Sequence, residues 1–272
     1  MAGPDDVLDR LVMAVRSSAK YGQVSEAFVR RVGAAELNKR RSLKEAIKAT
    51  KNKLHQVGGA YLDAAQEYPR WLATLQGATV QGDEALRDAC RAVMAHHAST
   101  RERLPILETF FAETLADIAP VQSALDVACG LNPLAIPWMP LAPGATYLAC
   151  DIYTDMMDLI GAFLPLAGVT GRAFVCDVVH EPPEQQAQVA FILKTIPCLE
   201  QVDKAAGLRL LDAVRADYAL VSFPARSLGG RDKGMVAQYE ARLGTLLAER
   251  RWPAQRFEFE TELAFLVDRR RG

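Results

Sequence analysis

A turn of small residues follows the first apolar run that reads as a buried strand, and it is the clearest candidate for chemistry in the chain. The run covers residues 123–129 and leads through Gly130-Leu131 into Asn132-Pro133. In doubly wound folds, a nucleotide-like ligand binds at the carboxyl end of the parallel strands, beside the turn that follows the first of them. Residues 126–133 are therefore predicted to form a cofactor-binding loop.

Two aspartates occupy comparable positions further along the chain. Asp151 follows the second apolar run and Asp177 follows the third. An ionised carboxylate only accepts hydrogen bonds, so Asp151 suits the two hydroxyl groups of a ribose and Asp177 suits an adenine amino group. Either aspartate could instead cap the helix that follows it. Together with Asp126, they give three acidic strand ends in register, which favours the ligand-binding interpretation.

The scarcity of glycine in the loop distinguishes two classes of cofactor. A nicotinamide dinucleotide requires the pattern GxGxxG, whose glycines let the backbone approach a pyrophosphate. Here only Gly130 precedes Asn132-Pro133. S-Adenosyl-L-methionine contains no phosphate, so the loop favours methyl transfer over hydride transfer.

The first part of the chain is predicted to be helical. Residues 5 to about 117 show helical spacing of apolar side chains, with breaks near Gly58-Gly59 and Gln76-Gly77. Ser99 is predicted to cap a helix that runs from Leu104 toward Ile118.

From Ser123 onward, the spacing changes to that of alternating strands and helices. The first five runs read as buried parallel strands and the last two as an antiparallel hairpin. The predicted fold class is α/β, a Rossmann-like sheet of the class I methyltransferase type preceded by an all-helical domain. We expect a basic docking domain at 1–100 and a cofactor-binding domain at 101–272. The predicted strands are 123–129, 145–150, 172–176, 187–193, 217–223, 256–261 and 263–268.

Basic residues are concentrated near the N-terminus. Residues 16–53 contain eleven Lys and Arg against three Glu, a net charge of +8, although the whole chain carries −1. Phosphate contacts give sequence-independent affinity, so this segment is a candidate RNA-docking surface, with a solvated helix face as the alternative. The residues expected to contact RNA there are Arg30, Arg31, Lys39, Arg40, Arg41, Lys44, Lys48, Lys51 and Lys53.

Composition and spacing argue against other classes of protein. Half of the residues are hydrophobic, but none of the apolar runs reaches the roughly 18 residues of a membrane span. The first residues do not resemble a secretion signal, so we expect a cytoplasmic protein without a membrane partner. The five cysteines and four histidines do not occur at metal-ligand spacings, so we expect no metal.

Three segments together carry a resemblance that none of them carries alone. They are 97–103 (His-Ala-Ser-Thr-Arg-Glu-Arg), 126–133 (Asp-Val-Ala-Cys-Gly-Leu-Asn-Pro) and 191–200 (Phe-Ile-Leu-Lys-Thr-Ile-Pro-Cys-Leu-Glu). With the helical N-terminal part, the chain resembles the aminoglycoside-resistance 16S rRNA guanine-N7 methyltransferases, the Arm family, and most of all the Sgm-like enzymes of actinomycete aminoglycoside producers. The resemblance spans nearly the whole chain.

The resemblance implies a reaction and a substrate. The cofactor would be S-adenosyl-L-methionine, and the product would be 16S rRNA methylated at N7 of guanine 1405 in the decoding region. The substrate would be the assembled 30S subunit, and the methyl group would block aminoglycosides of the gentamicin and kanamycin type.

The resemblance also implies roles for individual residues. Arg103 would pair with the methionine carboxylate of the cofactor, with Arg101 as the competing assignment. Lys194 is either a phosphate or base contact or a lysine whose ammonium reaches solvent. The residues expected at the cofactor are Arg103, Ala128, Gly130, Asp151, Asp177, Val178, Leu193 and Lys194.

The implied chemistry needs positioning groups rather than a general base. N7 of guanine has an available lone pair, so no proton must be removed before attack. A duplex base would be flipped out and stacked on an aromatic or Arg side chain. The expected positioning residues are Lys194, Phe191 and Arg226, with Phe223 as a further candidate and core packing as the alternative for both aromatics. Arg231 and Lys233 would contact phosphates.

Several alternatives remain open. The enzyme could methylate the neighbouring adenine at N1 or a small molecule, or the chain could be a non-catalytic RNA-binding module with a Rossmann-like fold. Pro197-Cys198 resembles the nucleophile step of cytosine C5-methyltransferases, but their Glu-Asn-Val partner is missing. A buried thiol is the favoured interpretation of Cys198.

Overall fold

The carboxyl-terminal part of the chain forms a seven-stranded sheet in the computed structural model, which describes residues 4–59, 61–62, 67–201, 203–225 and 234–270. The strands are β1 (Val121–Val127), β2 (Leu141–Asp151), β3 (Thr170–Val175), β4 (Gln186–Leu193), β5 (Arg215–Pro224), β6 (Ala254–Glu258) and β7 (Glu262–Asp268). Their order is β3-β2-β1-β4-β5-β7-β6. Strands β1 to β5 are parallel to one another, and β7 is antiparallel to both β5 and β6. The predicted α/β class and the terminal hairpin are confirmed.

Helices precede the sheet and connect its strands. Those before the sheet are α1 (Pro4–Arg16), α2 (Glu26–Leu37), α3 (Leu43–Leu54), α4 (Tyr68–Gln81), α5 (Asp83–Met94), α6 (Ala98–Arg103) and α7 (Leu107–Thr114). Those between strands are α8 (Thr154–Phe163), α9 (Thr195–Leu199), α10 (Ala206–Ala213) and α11 (Gly234–Arg250). The side chains of Ser25 and Ser42 accept hydrogen bonds from backbone N–H groups in the first turns of α2 and α3, so both helices begin at capping residues.

Two details of the predicted helices were wrong. Gly77 lies inside α4 on its exposed side, where glycine costs only about 1 kcal/mol, and the break comes at Gly82 instead, with φ of 110°. The helix expected from Leu104 begins earlier, at Ala98, and is interrupted by a 3₁₀ turn at Leu104–Ile106. Pro105 lies in that turn and lacks the N–H that a continuous α-helix would use.

The central strands are buried on both faces, with successive side chains pointing to opposite faces, whereas the edge strands β3 and β6 are exposed or half-buried, so the expectation of a doubly buried strand is wrong for β3. In β1, Ala124 packs with helices of the N-terminal part, whereas Leu125 packs on the other face with α9, α10 and α11. Phe191 and Ile192 divide in the same way in β4. The N-terminal helices and one sheet face therefore share a continuous hydrophobic core.

In the described parts of the chain, no helix has the length and apolar character that a membrane crossing requires.

Candidate functional site

A cavity with about 690 Å³ of empty space lies at the carboxyl ends of β1 to β4. One wall comes from the sheet and contains six of the eight residues predicted at the cofactor, which are Ala128, Asp151, Asp177, Val178, Leu193 and Lys194. The opposite wall comes from the helical part and includes Phe28, Val57, Gly58, Tyr61 and His97.

The loop after β1 lies against this cavity in a conformation that favours glycine. Ala128 and Gly130 both have positive φ, 51° and 52°. The backbone N–H of Gly130 donates to Oδ2 of Asp151 at 3.0 Å. A Cβ atom at Gly130 would lie 2.8 Å from the ring of His97, so this wall has no room for a larger residue. Gly130 itself is not among the residues that line the cavity.

Asp151 ends β2 and is held by backbone donors. Oδ1 accepts from the N–H of Ile152 at 2.6 Å, in addition to the bond from Gly130. Burial raises the pKa of Asp151 above its ordinary value, while these N–H groups oppose that increase. A fixed carboxylate at a strand end suits a diol such as ribose.

Asp177 follows β3 and is paired with an arginine from the helical part. Nε and Nη2 of Arg31 donate to its Oδ2 and Oδ1, at 2.5 and 3.1 Å. Val178, the next residue, is 4% exposed and lines the cavity. Arg31 was predicted to contact RNA, and in this structure its half-buried guanidinium is engaged with Asp177.

Lys194 stands at the end of β4 with a left-handed backbone, φ of 56°. Its ammonium lies 2.9 Å from Glu102 and 3.3 Å from Glu262, and it donates to the carbonyl oxygen of Ser99. The side chain is 5% exposed. Lys194 is therefore a buried, paired cation and not a lysine that reaches solvent.

Arg103 belongs to the same polar network. Its Nε and Nη2 donate to Glu262, at 3.1 and 2.7 Å, and its Nη1 donates to Oδ1 of Asn132 at 2.7 Å. The side chain of Glu262 is completely buried and also accepts from the hydroxyl of Ser222. Arg103 lies behind the cavity wall, so in this structure the guanidinium predicted to hold a ligand carboxylate is bound to a protein carboxylate.

The charge of Glu262 is set by this environment. Burial raises its pKa, but the charges of Arg103 and Lys194 and the hydrogen bonds from Arg103 and Ser222 together outweigh that effect, and the pKa is below its ordinary value. Glu262 is thus an anion between two buried cations.

Two predicted aromatic contacts are core residues instead. Phe191 is fully buried with its ring near Phe111 and Tyr147, so the prediction that it positions the reacting base is wrong. Phe223 is 1% exposed and stacks on Tyr239. Both rings lie inside the apolar layers that cover the two faces of the sheet, so they cannot reach a ligand. Arg226, Arg231 and Lys233 lie outside the described residues.

The remaining predicted RNA contacts lie on α2, α3 and the turn between them. Lys39, Arg40, Arg41 and Lys48 border a shallow surface depression, and Lys44 is exposed. The other members are more constrained. Arg30 pairs with Asp9 and Glu26, Lys51 is half-buried, and Lys53 donates to the carbonyl oxygen of Gln201.

Several residues of the site were not predicted from the sequence. Phe28, Tyr61 and Tyr153 line the cavity, and Glu262 balances the charges behind it. The hydroxyl of Tyr153 is buried and has no hydrogen-bond partner among the described residues, which makes it available to a ligand or a water. The sequence carries no local pattern that marks these residues, because the role of each depends on contacts between distant parts of the chain.

Cys198 also lines the cavity, and the residue is half-buried. Its Sγ contacts the hydroxyl of Tyr61 at 3.2 Å, and burial raises the pKa of Cys198 to about 11. A thiol with that pKa is protonated at neutral pH and is a poor nucleophile. The structure thus argues against Cys198 as a nucleophile, although the residue is half-buried rather than fully buried as expected.

The donors and acceptors of the cavity fit S-adenosyl-L-methionine. Asp151 and Asp177 provide carboxylates for a ribose and an amino group, and Val178 and Leu193 provide apolar surface. The ammonium of Lys194 is already neutralised by Glu102 and Glu262. The described lining residues hence offer no unpaired cation for a pyrophosphate. Across the described ranges, His, Cys, Asp and Glu side chains do not gather in groups of three that could hold a metal ion.

Comparisons with known proteins agree with this site. A family model described as ribosomal RNA methyltransferase (FmrO) matches residues 16–266. The chain is 38% identical over 266 residues to a 16S rRNA (guanine(1405)-N(7))-methyltransferase of Micromonospora rosea, with 97% of each chain covered. A protein of the same name from Frankia casuarinae is 40% identical over 269 residues, which cover 97% of this chain and 95% of the relative.

A solved structure extends the likeness to three dimensions. The 16S rRNA methyltransferase RmtF, crystallised in complex with S-adenosyl-L-homocysteine, superimposes with a TM-score of 0.83 at 31% identity, covering 98% of this chain and 100% of RmtF. With a family match of this length and relatives this similar along nearly the whole chain, the protein belongs to the FmrO family of ribosomal RNA methyltransferases.

Proposed function

We propose that this protein uses S-adenosyl-L-methionine to methylate N7 of guanine 1405 in the 16S rRNA of the assembled 30S subunit. The observation that carries the proposal is the cavity at the carboxyl ends of β1 to β4, where Asp151 and Asp177 stand at two neighbouring strand ends. The names of relatives at 38% and 40% identity support the choice of nucleotide and atom.

The cavity residues have distinct roles in this proposal. Asp151 binds the ribose hydroxyls, and Asp177 with Val178 surrounds the adenine. Ala128, Gly130 and Leu193 border the methionine portion. Arg103 and Lys194 provide positive charge near that end, although both are paired with Glu262 in the present arrangement.

The reaction needs alignment more than proton transfer. When bound, S-adenosyl-L-methionine supplies a methyl group on a positively charged sulfur. The N7 lone pair is available at neutral pH, so neither a general base nor a metal is needed to activate it. The residues of the chain therefore hold the two reactants in line and exclude water, and Lys194 marks the edge where the base arrives.

Recognition of the ribosome is assigned to the basic surface formed by Lys39, Arg40, Arg41, Lys44 and Lys48. Its exposed cations suit the phosphates of folded rRNA. We accordingly propose a functional division into a docking region at residues 1–100 and a catalytic region at 101–272. The proposal implies a cytoplasmic enzyme that protects ribosomes from aminoglycosides of the gentamicin and kanamycin type.

Methyl transfer from radiolabelled cofactor tests the proposed substrate. Purified protein should label 30S subunits far more rapidly than naked 16S rRNA, and Asp151→Ala should abolish labelling at low cofactor concentration. Asp158→Ala, on the exposed side of α8, is the matched control and should label like wild type. Equal labelling of both RNAs would contradict the 30S assignment, and the absence of labelling would favour a non-catalytic module.

A further inference from the structure

Helix α2 connects the basic surface to the cofactor cavity at two points. Before the helix, the N–H of Ser25 donates to the carbonyl oxygen of Ile152 at 2.8 Å, and the N–H of Thr154 donates to that of Gln23 at 2.9 Å. These bonds form an isolated antiparallel bridge between Val24 and Tyr153. The helix therefore starts at the loop that directly follows Asp151.

The second connection is the ion pair between Arg31 and Asp177. It joins residues 146 positions apart in the chain. Side-chain exposures of 27% for Arg31 and 11% for Asp177 show that the pair is largely shielded from water, so solvent and salt screen it less than a surface pair. The guanidinium carbon also lies 5.1 Å above the ring of Phe28, which lines the cavity.

The hydrogen bonds leave Asp177 with a defined remaining capacity. An ionised carboxylate offers about four acceptor positions. Arg31 uses two of them, and the N–H of Val179 uses a third, on Oδ1 at 3.3 Å. About one position is then left on Oδ2, enough for one N–H of an amino group.

We propose that Arg31 is a positioning residue of the cofactor site, which fixes the Asp177 carboxylate so that its remaining acceptor selects an adenine amino group. Arg31 thus belongs to cofactor binding, although it lies in the segment whose charge suggests RNA docking. This inference rests on the proposed cofactor but not on the proposed nucleotide target.

Binding of two nucleosides by the free protein tests the inference. S-Adenosyl-L-homocysteine has an amino group at the position where S-inosyl-L-homocysteine has a carbonyl oxygen, which a carboxylate repels. Isothermal titration calorimetry should show that wild type prefers the adenosyl compound by about tenfold or more, as expected for a hydrogen bond to a charged group. Arg31→Ala and Asp177→Asn should each remove most of this preference.

The combined variant separates positioning from general stabilisation. If Arg31 acts through Asp177, Arg31→Ala should have little further effect on the preference in the Asp177→Asn background. Arg31→Lys keeps the positive charge but cannot make the bidentate pair of hydrogen bonds. Its preference for the adenosyl compound should therefore lie between that of Arg31→Ala and that of wild type. Thermal unfolding of each variant shows whether the fold is retained.

A matched pair elsewhere in the molecule provides the control. Nε and Nη2 of Arg250 in α11 donate to the two carboxylate oxygens of Asp212 in α10, at 2.8 Å each. Arg250→Ala should leave the preference unchanged.

Two results would overturn the inference while leaving the proposed function intact. One is a preference in folded Arg31→Ala equal to that of wild type, and the other is additive losses in the combined variant. If wild type bound neither compound, the proposed function and the inference would both fail.

Discussion

At the scale of single residues, Glu262 is the anion on which two buried cations depend. Glu262→Gln would leave the buried Arg103 without its carboxylate partner and Lys194 paired with Glu102 alone, and breaking a buried pair in this way costs about 3–5 kcal/mol. Urea unfolding at neutral pH should show a loss of that order. Glu258→Gln, which removes a 71% exposed carboxylate from the same hairpin, should lose less than about 1 kcal/mol. Equal small losses in both variants would contradict the buried network.

The buried carboxyl group of Asp126 should make the stability of the protein depend on pH. Burial raises its pKa to about 7 from an ordinary 3.8, although Asn132 and Tyr147 donate hydrogen bonds to it. Between about pH 4 and pH 7 the folded state binds the proton more tightly, so the stabilisation from Asp126 is complete below this window and is lost as pH rises through it.

Asp126→Asn removes this titration while keeping an oxygen acceptor for both neighbours. The free energy of unfolding of the variant minus that of wild type should therefore be larger at pH 8 than at pH 5. The increase should be on the order of 1 kcal/mol or more. Chemical unfolding at the two pH values measures the difference. An unchanged difference between variant and wild type would show that Asp126 keeps the same protonation state across this range.

A substitution at Gly130 tests whether the backbone conformation of the cofactor loop matters for binding. Gly130→Ala introduces strain at φ of 52° and a Cβ atom 2.8 Å from the ring of His97. Gly168→Ala is the control, because it introduces the same kind of backbone strain at φ of 74° but places its Cβ atom in open space. The left-handed backbone conformation costs about 1–2 kcal/mol in both variants. Only Gly130→Ala should weaken cofactor binding by calorimetry, by about tenfold if the bond from its N–H to Asp151 is lost. A similar weakening in both variants would refute a specific role for the loop.

At the scale of elements, the basic surface on α2 and α3 provides a test of docking. Arg40 is a poor choice for charge reversal, because both of its hydrogen-bonding nitrogens contact Glu36, which is 3% exposed. Lys44 and Lys48 are exposed and avoid this complication. Changing both to Glu should weaken 30S binding and reduce the slope of log affinity against log salt by about 2.

Filter binding at several salt concentrations measures this change, and calorimetry should show unaltered cofactor affinity. Lys204→Glu combined with Arg215→Glu makes the same charge change at exposed positions outside this surface and is the control. If the control weakened 30S binding as much as the docking variant, net charge rather than this surface would account for the affinity.

Elements whose signals are local could be predicted from the sequence. The strands were located because residues such as Leu125 and Ile192 lie in short apolar runs, which are typical of parallel strands buried on both faces. Asp151 and Asp177 were recognised because each directly follows such a run. The break at Gly82 and the 3₁₀ turn around Pro105 were missed, since a boundary is decided by the balance of a few local bonds.

The parts of the site that depend on tertiary contacts could not be predicted in the same way. Arg31 looked like one of many basic residues until the fold placed it beside Asp177. Glu262 sits in a hairpin strand and becomes significant only because β7 lies next to β5, near Ser222. Phe191 looked like a candidate for stacking, but its position in the middle of the sheet commits it to the core.

At the scale of the whole molecule, the basic N-terminal part of the sequence and the sheet are packed together. The basic helical region shares a core with one face of the sheet and also forms one wall of the cofactor cavity. The proposed docking surface and the proposed cofactor cavity therefore lie in parts of the chain that share one core, and the cavity itself takes residues from both the helical part and the sheet. This arrangement suits an enzyme that must align a bound methyl donor with one base of a large ribonucleoprotein.

The position of the methyl group tests the central claim most directly. The 30S subunits would be incubated with the protein and S-adenosyl-L-methionine, and the 16S rRNA would then be reduced with borohydride, cleaved with aniline and mapped by primer extension, a chemistry that cuts at 7-methylguanosine. The account predicts a new stop at guanine 1405 that depends on the cofactor and is lost in Asp151→Ala. Cofactor-dependent methylation at any other nucleotide, or at another atom of guanine 1405, would contradict it.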